Sequence, residues 1–537
     1  MDNDTKLETP HDTSDPTRPG TRWNALSGKP DLTIAFVSLY VIENTGIRLL
    51  ASILRNAGVK VHEVYFKDWV TNRVEPPSED DIGLLISELK QINPDLVGIS
   101  VRASAFHRIA ADLSIRIRSA LGTPILWGGM HASSCPDKAA EVADLICIGE
   151  AELAIAALVE ALRLGKPIDA IDGLWFHGEH GVVKNSNAQL ISDLDSLPFP
   201  DYHSHDKTFI EAGHVYHGND PCTREAIYLV MGSRGCPFPS CTFCSNSVVH
   251  KMYPGQKFHR TRSVTHILDE IRYACKHFTR LKRIRFDDEE FPTQADWFDA
   301  FCDRWPKEIG LPFEIHMDPR VVTADRLERL KAIGLHTIFM GIQHTEQINR
   351  SLYGRNVSDE QVLEAARAIH ASGVHAGYQV ILDDPVSTSD DKQRLLDLLL
   401  KLPHPYEMVL FSLTLYPGSA IADDLKQCNL IVDADIEGEQ TKVFRQFRVD
   451  LSYPRPTEDR FWTALYVLVS KSFIPKSLLR GIAANNFLRR HPLPVTLLAY
   501  VANVLKLGIM GMGLLIRGEL SLAVIRRWLT FKSLVTY

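Results

Sequence analysis

Three cysteines fall within nine residues of this 537-residue chain, in the string GSRGCPFPSCTFC at residues 232–244. Cysteine thiolates are the usual ligands of iron–sulfur clusters, and three on one short loop can each bind one iron of a cubane [4Fe–4S] cluster. The fourth iron then lacks a protein ligand and can bind substrate atoms. The spacing of Cys236, Cys241 and Cys244 therefore predicts an iron–sulfur cluster with one open coordination position.

A structural zinc site is the main alternative for these cysteines. Zinc takes four ligands, and Cys222 could supply the fourth, but Cys222 precedes the adjacent predicted strand and zinc cysteines usually form two separated pairs. Three unrelated buried cysteines would fit the tight spacing less well. The total of nine cysteines is odd and does not resemble a disulfide framework, which indicates a reducing compartment.

The cysteine string lies within a regular series of predicted strands and helices. Apolar strand segments at 226–231, 283–286, 313–316, 337–340, 376–382 and 408–415 alternate with helical segments at 264–277, 294–305, 325–333, 359–371 and 390–400. Six such strands predict a partial (β/α)6 TIM-like barrel over residues 225–425, in which function lies at the carboxyl ends of the strands. The cysteine loop follows the first strand and is expected at that end.

A second alternating α/β series precedes the barrel, over residues 31–165. Strand segments at 33–38, 59–64, 95–101, 124–127 and 144–148 alternate with helical segments, which predicts a doubly wound parallel sheet. Such sheets bind ligands at the carboxyl ends of their strands. Those ends carry Ser38, Ser100, Gly128, Gly129, His131, Gly149 and Glu150. Paired glycines let a backbone approach a large flat ligand, although they can equally serve only to make tight turns.

The remaining segments have less regular patterns. Residues 1–30 are polar, lack the features of a signal peptide and are predicted to form a disordered tail; residues 166–224 are predicted to form a connector. Residues 426–537 are predicted to be helical, basic and apolar.

The C-terminal part of the chain has an unusual charge. Residues 471–537 contain ten lysines or arginines and one acid, in a chain of net charge −7. The apolar stretch 493–516 predicts an interfacial helix or a buried helical subdomain, and Lys506 argues against a membrane span. Its basic residues accompany an apolar segment rather than an aromatic-lined groove, so nucleic-acid binding is not expected.

The cysteine string resembles that of the radical SAM superfamily, in which C-x3-C-x2-C carries an aromatic residue before the last cysteine. Phe243 holds that place here, and the first gap of four residues is found in subfamilies with a cobalamin domain. Further matching strings are FDDEEF at 286–291, GIQH at 341–344 and YPGS at 416–419. The strings GGMHA at 128–132 and IGEAE at 148–152 are similar to turns of cobalamin-binding (Rossmann-like) domains.

This resemblance implies three cofactors and their contacts. A [4Fe–4S] cluster would bind Cys236, Cys241 and Cys244, and S-adenosylmethionine (SAM) would contact Phe243, Glu270, Asp288 and Gln343. Cobalamin would contact the seven residues at the strand ends named above. Because the chain has no D-x-H-x-x-G string, we expect no axial histidine, His131 included. The alternative for Glu270 is pairing on a helix face, and for residues 287–290 a solvated acidic turn.

The resemblance also implies a reaction class. Reductive cleavage of SAM would give a radical that takes hydrogen from an unactivated carbon, and methylcobalamin would then methylate that carbon in a hydrophobic or natural-product substrate. No general base is required, so no catalytic side chain is assigned. An external flavodoxin- or ferredoxin-type donor is expected.

Two other activities remain open at this point. One is an oxidative cyclase or ring-rearranging enzyme that uses the same cofactors without methyl transfer, and the other is a non-catalytic metal- or cobalamin-binding module. The basic, apolar C-terminus suggests a lipid-like substrate and peripheral membrane contact of a cytoplasmic enzyme.

Overall fold

The computed structural model describes residues 15, 18–67, 76–203, 205–218, 220–432, 436, 451 and 455–516. The chain forms two compact units. The N-terminal unit contains the described residues up to Arg224 together with 248–260 and 277–279. The C-terminal unit contains the remaining described residues.

The N-terminal unit is built on a nine-stranded sheet. Its strands are β1 Thr33–Leu39, β2 Lys60–Phe66, β3 Leu96–Ser100, β4 Ile125–Gly128, β5 Leu145–Cys147, β6 Leu174–Gly178, β7 Gly181–Lys184, β8 Lys207–Glu211 and β9 His214–His217. Their order is β7-β6-β5-β4-β3-β1-β2-β8-β9. Strands β1 to β5 are parallel, as predicted. The order reverses between β1 and β3, which is the switch point where such sheets bind ligands.

Six α-helices lie between β1 and β6, and four of them follow the predicted alternation. They are α1 Thr45–Asn56, α2 Glu79–Ile92, α3 His107–Leu121, α4 Met130–Ser134, α5 Pro136–Ala140 and α6 Ala151–Leu164. Local sequence explains where they begin and end: the side chains of Asn44 and Ser78 cap α1 and α2, and α6 ends at Gly165 in the left-handed region. Helices α1 and α6 pack their apolar sides with the sheet in one buried core.

Two predictions for the flanking segments are corrected by the structure. The stretch 166–224, predicted as a connector, contributes β6 to β9; β8 runs parallel to β2, and the other three form antiparallel pairs. These strands are only four or five residues long, too short for a clear alternating pattern. Within the predicted tail, residues 22–26 form a 3₁₀ helix, and Trp23 packs against Phe176.

The C-terminal unit contains the predicted partial barrel. Six parallel strands lie in sequence order: β10 Ile227–Val230, β13 Arg283–Phe286, β14 Phe313–Met317, β15 Leu335–Gln343, β16 His375–Leu382 and β17 Glu407–Ser412. The short strands β11 Ser233–Arg234 and β12 Arg260–Thr261 interrupt the series. Among the described strands β10 and β17 are not paired with each other, so hydrogen bonds do not close the barrel.

Helices connect the barrel strands and continue beyond them. They are α7 Ser245–Met252, α8 Val264–His277, α9 Ala295–Glu308, α10 Ala324–Ala332, α11 Glu346–Ser351, α12 Asp359–Ser372, α13 Ser389–Leu399 and α14 Ala420–Gln427. The C-terminal region adds α15 Thr457–Val469, α16 Lys476–Ala483, α17 Asn486–Arg490 and α18 Leu493–Ile516. The prediction for residues 433–435, 437–450, 452–454 and 517–537 lies outside the described residues.

The barrel strands have one face toward the helices and one toward the interior. Phe286 packs against Phe301 and Trp305 of α9, so Arg285 and its alternating neighbours face inward. The interior face includes the half-buried side chains Leu229, Phe339, Val409 and Phe411. The interior is partly open and carries both apolar side chains and charged ones, among them Arg285 and Glu314.

Candidate active site and cofactor sites

Asp288 holds the beginning of the cysteine loop. It follows β13, is buried, and its carboxylate accepts hydrogen bonds from Gly232 N (3.2 Å), Ser233 N (2.5 Å) and Ser233 Oγ (2.6 Å). Burial raises the pKa of Asp288 to about 7, although the three donors act in the opposite direction. This geometry makes Asp288 a positioning residue for the loop; a direct contact with SAM remains a prediction.

The other end of the cysteine loop is held by the segment after α11. Thr242 donates from its backbone N to Tyr353 O (3.0 Å) and from Oγ1 to Leu352 O (2.6 Å). Gly354 has a φ of +60°, and a Cβ there would lie 2.7 Å from Ser240 O. The close approach of two backbones explains the glycine. Sequence reasoning missed this segment because no recognisable motif marks it.

The three thiols are partly shielded from solvent and poorly ionised. Burial raises the pKa of Cys236 to about 12 and that of Cys244 to about 11, and it also raises the pKa of Cys241. Phe238 N donates to Cys236 Sγ (3.3 Å), and Asn246 Nδ2 lies 3.7 Å from Cys244 Sγ. Without a metal these thiols are therefore mostly protonated, and metal ligation would release their protons.

Single-metal sites are absent from the described part of the chain: no three His, Cys, Asp or Glu side chains there surround a common ion position. A cubane cluster differs, since each cysteine binds a different iron. Cys222, considered above as a fourth zinc ligand, makes its contacts in a different part of the chain. Cys222 is buried in the N-terminal unit with its Sγ 3.5 Å from Arg48 Nη2 and Ile42 O. The residues present therefore fit a cluster better than zinc.

Two arginines near the loop were not predicted from the sequence. The guanidinium of Arg320 lies 3.7 Å from the ring centroid of Phe238. Arg355 is buried, pairs with Asp318 (2.7 Å) and donates to Gly341 O (2.7 Å) and Ile342 O (3.1 Å). Both positive charges lower the pKa of the Cys241 thiol, whereas burial raises it. Cationic groups of this kind favour an anionic ligand near the cysteines.

The end of β15 carries a strained polar residue. Gln343 has a φ of +63°, and its buried Oε1 has no hydrogen-bond partner in the structure. Two other buried acceptors on neighbouring strand ends, Glu290 Oε1 and His316 Nδ1, also lack a partner. Buried polar atoms are normally paired, so such atoms commonly indicate a bound ligand. The predicted SAM contact at Gln343 fits this geometry.

The other two predicted SAM contacts differ in position. Phe243 packs edge-on against Tyr353, with ring centroids 5.1 Å apart, at the carboxyl end of the barrel. Glu270 on α8 accepts from Tyr228 OH (2.7 Å) and pairs with Arg262 (2.6 Å). Tyr228 lies on the helix-facing side of β10, so the geometry of Glu270 supports the alternative of a pairing role on a helix face.

In the N-terminal unit, three polar side chains meet at the switch point of the sheet. Asn44 Nδ2 lies 2.9 Å from Ser38 Oγ on β1 and 3.2 Å from Ser100 Oγ on β3. Ser38 is buried and donates to Val41 O, whereas Ser100 is partly exposed. The structure thus brings the two predicted serines together. Sequence reasoning missed Asn44, which lies directly before α1.

The three predicted glycines have different amounts of room. A Cβ on Gly129 would lie 2.9 Å from Val101 O, and one on Gly149 would lie 1.7 Å from the Tyr253 hydroxyl; both residues have positive φ. A Cβ on Gly128 would meet only Cys147, at 3.9 Å. Gly129 and Gly149 are therefore required by close approach, and Gly128 is not.

The side chains of His131 and Glu150 contact other residues of the N-terminal unit. His131 is buried, its Nδ1 lies 2.9 Å from Ser104 Oγ, and its ring stacks on His107. Burial lowers the pKa of His131 to about 4. Glu150 accepts two hydrogen bonds from Arg260 (2.9 and 2.5 Å). A cobalamin contact at either position remains a prediction.

Comparison with known families decides the class of the chain. The radical SAM superfamily matches residues 230–399, and the B12-binding domain matches residues 32–159. The chain is a B12-binding radical SAM enzyme. The family assignment implies a [4Fe–4S] cluster, SAM and cobalamin as its cofactors.

Two known proteins are similar to this radical SAM enzyme over about two thirds of its length or more. An uncharacterized methyltransferase of Pyrococcus horikoshii is 28% identical over 392 residues, covering 71% of this chain and 79% of that relative. The 4'-phospho-dehydrooxetanocin synthase of Priestia megaterium is 26% identical, covering 68% of this chain and 50% of that relative.

The fold of this radical SAM enzyme also occurs among solved structures. The cobalamin-dependent radical enzyme OxsB, solved with aqua-cobalamin and SAM, matches with a TM-score of 0.61 and 18% identity. The match covers 93% of this chain and 84% of OxsB.

Proposed function

We propose that the enzyme C-methylates an unactivated carbon of a hydrophobic or natural-product substrate. The observation that carries the proposal is a fixed loop of three cysteines on a radical SAM barrel, in a chain that also carries a B12-binding domain. The methyltransferase of Pyrococcus horikoshii supports methyl transfer. When bound, the cluster would supply the electron that cleaves SAM, and cobalamin would carry the methyl group.

The residues of this chain would bind and orient the reactants. Cys236, Cys241 and Cys244 would hold three irons, while Asp288 and Thr242 fix both ends of their loop. The unpartnered Oε1 of Gln343 supports a polar contact to SAM at the same end of the barrel. No side chain needs to act as a general base, because the substrate carbon would lose a hydrogen atom rather than a proton.

The partly open interior supports a substrate that has apolar parts. Leu229, Phe339, Val409 and Phe411 face the barrel interior and are half-buried, and burying such side chains against a ligand contributes about 25 cal/mol per Å². The same interior also carries charge, because the single carboxylate of Glu314 pairs with both Arg283 and Arg285.

Ring formation or rearrangement without methyl transfer is a second candidate. The relative from Priestia megaterium is a synthase rather than a methyltransferase by name, although this chain spans half of its length. Both candidates use the same cofactors, so the cysteine loop and the Gln343 geometry do not separate them.

Isotope labelling separates these two candidates without the natural substrate. The anaerobically reconstituted enzyme, loaded with hydroxocobalamin and reduced, is mixed with SAM that carries a deuterated methyl group. A methyltransferase yields deuterated methylcobalamin and S-adenosylhomocysteine, both detected by mass spectrometry. Retained cobalamin that never acquires the label, together with 5′-deoxyadenosine, would contradict methyl transfer and favour the second candidate.

The proposed partners follow from this chemistry. Cluster reduction needs an external one-electron donor of the flavodoxin or ferredoxin type. We also propose a cytoplasmic enzyme whose C-terminal region contacts a membrane surface peripherally, which would give access to a lipid-like substrate. None of the helices in the described ranges is long and apolar enough to cross a membrane.

A further inference from the structure

Helix α18 exposes a continuous apolar face. Its opposite side packs through Val495, Ala499 and Ala502, which are buried, against α15. The residues of the exposed side share apolar or aromatic character and are each 38% to 65% exposed: Leu493, Leu497, Leu498, Tyr500, Val501, Val504, Leu505, Ile509 and Met512. We refer to these nine residues as the α18 apolar face.

The arrangement of this face is unusual for a surface helix. At 100° per residue, its members cover about half of the helix circumference, and no charged residue lies among them. Lys506 projects from the packed side and pairs with Glu407 (3.6 Å). Contiguous exposed apolar patches of this kind mark binding surfaces. The proposed methylation chemistry does not account for it.

The charge around the α18 apolar face points to one kind of partner. Residues 471–516 contain six lysines or arginines and no acidic residue. Arg480 on α16 and Arg490 on α17 are exposed, and three further exposed apolar side chains, Phe473, Leu478 and Phe487, lie in the same helical region. A basic, apolar and aromatic surface is complementary to the headgroup region of an anionic bilayer.

We propose that the α18 apolar face, with α16 and α17, seats in the plane of an anionic lipid bilayer. The apolar side chains would enter the boundary between headgroups and acyl chains while the arginines contact lipid phosphates. A second copy of the chain is a poorer occupant, because symmetric pairing would bring two positively charged surfaces together. The inference specifies the peripheral contact that forms part of the proposed function and does not depend on methyl transfer.

Vesicle flotation of the full-length protein tests the apolar part of the proposal. Vesicles contain phosphatidylcholine alone or an equimolar mixture with phosphatidylglycerol. The triple variant Leu497→Ser, Val501→Ser, Leu505→Ser is expected to bind mixed vesicles at least about tenfold more weakly than wild type. The control Leu153→Ser, Leu164→Ser changes residues with similar exposure on α6, 52% and 58%, and should bind as wild type does.

A charge variant tests the lipid preference. Replacing Arg480 and Arg490 by Gln should weaken binding to mixed vesicles by about fivefold per charge, and added salt should weaken wild-type binding. Equal binding to neutral vesicles would overturn the anionic assignment. Absence of flotation would overturn the proposal, and a dimer in sedimentation that the triple variant dissociates would assign the face to a second copy. No SAM is present, so failure of methyl transfer is a separate result.

Discussion

Gly128 and Gly149 lie at the ends of neighbouring strands but differ in what their backbones allow. Gly149 has a φ of +76°, and a Cβ added to it would lie 1.7 Å from the Tyr253 hydroxyl. Gly128, by contrast, has room for a methyl group. In the sequence both glycines lie in a turn that follows a strand, so the two positions cannot be distinguished there. Only the packing of Tyr253, more than a hundred residues away along the chain, distinguishes them.

The Gly149→Ala substitution should therefore destabilise the protein. The added methyl group collides with Tyr253 and the residue is held at a positive φ, which together cost about 2–4 kcal/mol. Urea unfolding measures the loss, and Gly128→Ala, the matched control, should change stability by less than about 1 kcal/mol. Equal effects of the two substitutions would show that Tyr253 does not occupy this position.

His131 should make stability depend on pH. Burial lowers its pKa from 6.5 to about 4, so between these values the unfolded chain binds a proton that the folded chain does not. Stability is consequently lost as the pH falls from about 6.5 to 4, by up to about 3 kcal/mol from this residue. In His131→Asn, unfolding free energies measured across this range should decline less steeply. A decline as steep as that of wild type would argue that His131 is not buried in its neutral form.

At the element scale, periodic segments were predictable and contact-defined ones were not. The sequence predicted β13 and α8 with the observed bounds, because amphipathic helices and apolar strands carry their pattern locally. Strands β6 to β9 were missed, since strands of four or five residues are defined by their pairing partners. The cysteines could be predicted because their spacing is a local pattern in the sequence. Asn44, Arg320 and Arg355 could not be predicted, because their positions are defined by contacts in the folded chain.

The cysteine loop should depend on Asp288 for its conformation. Asp288→Ala leaves buried donors of Gly232 and Ser233 without an acceptor, at a cost of about 1–3 kcal/mol each. We expect a lower free energy of unfolding and fewer irons bound per chain after reconstitution. The neighbouring Asp287 is exposed, so Asp287→Ala should retain the full iron content. An unchanged iron content of Asp288→Ala would contradict the positioning role of Asp288.

At the scale of the whole molecule, the chain combines a B12-binding unit, a radical SAM unit and a basic C-terminal helical region. Alternating strand and helix patterns and family strings predicted the first two. The C-terminal region matched no known string, and its apolar face became evident only once the packed side of α18 was known. The proposed cleavage of SAM depends on the three cysteines in the second unit.

Formation of 5′-deoxyadenosine by the reconstituted, reduced enzyme tests that claim most directly. We expect SAM cleavage by wild type and by Cys275→Ala, which removes an exposed cysteine outside the loop, with no detectable cleavage by Cys241→Ala. Iron content measured on the same samples shows whether cluster binding is lost as well. Cleavage that persists in Cys241→Ala, or that is absent from wild type with four irons bound per chain, would contradict the assignment of these cysteines to a SAM-cleaving cluster.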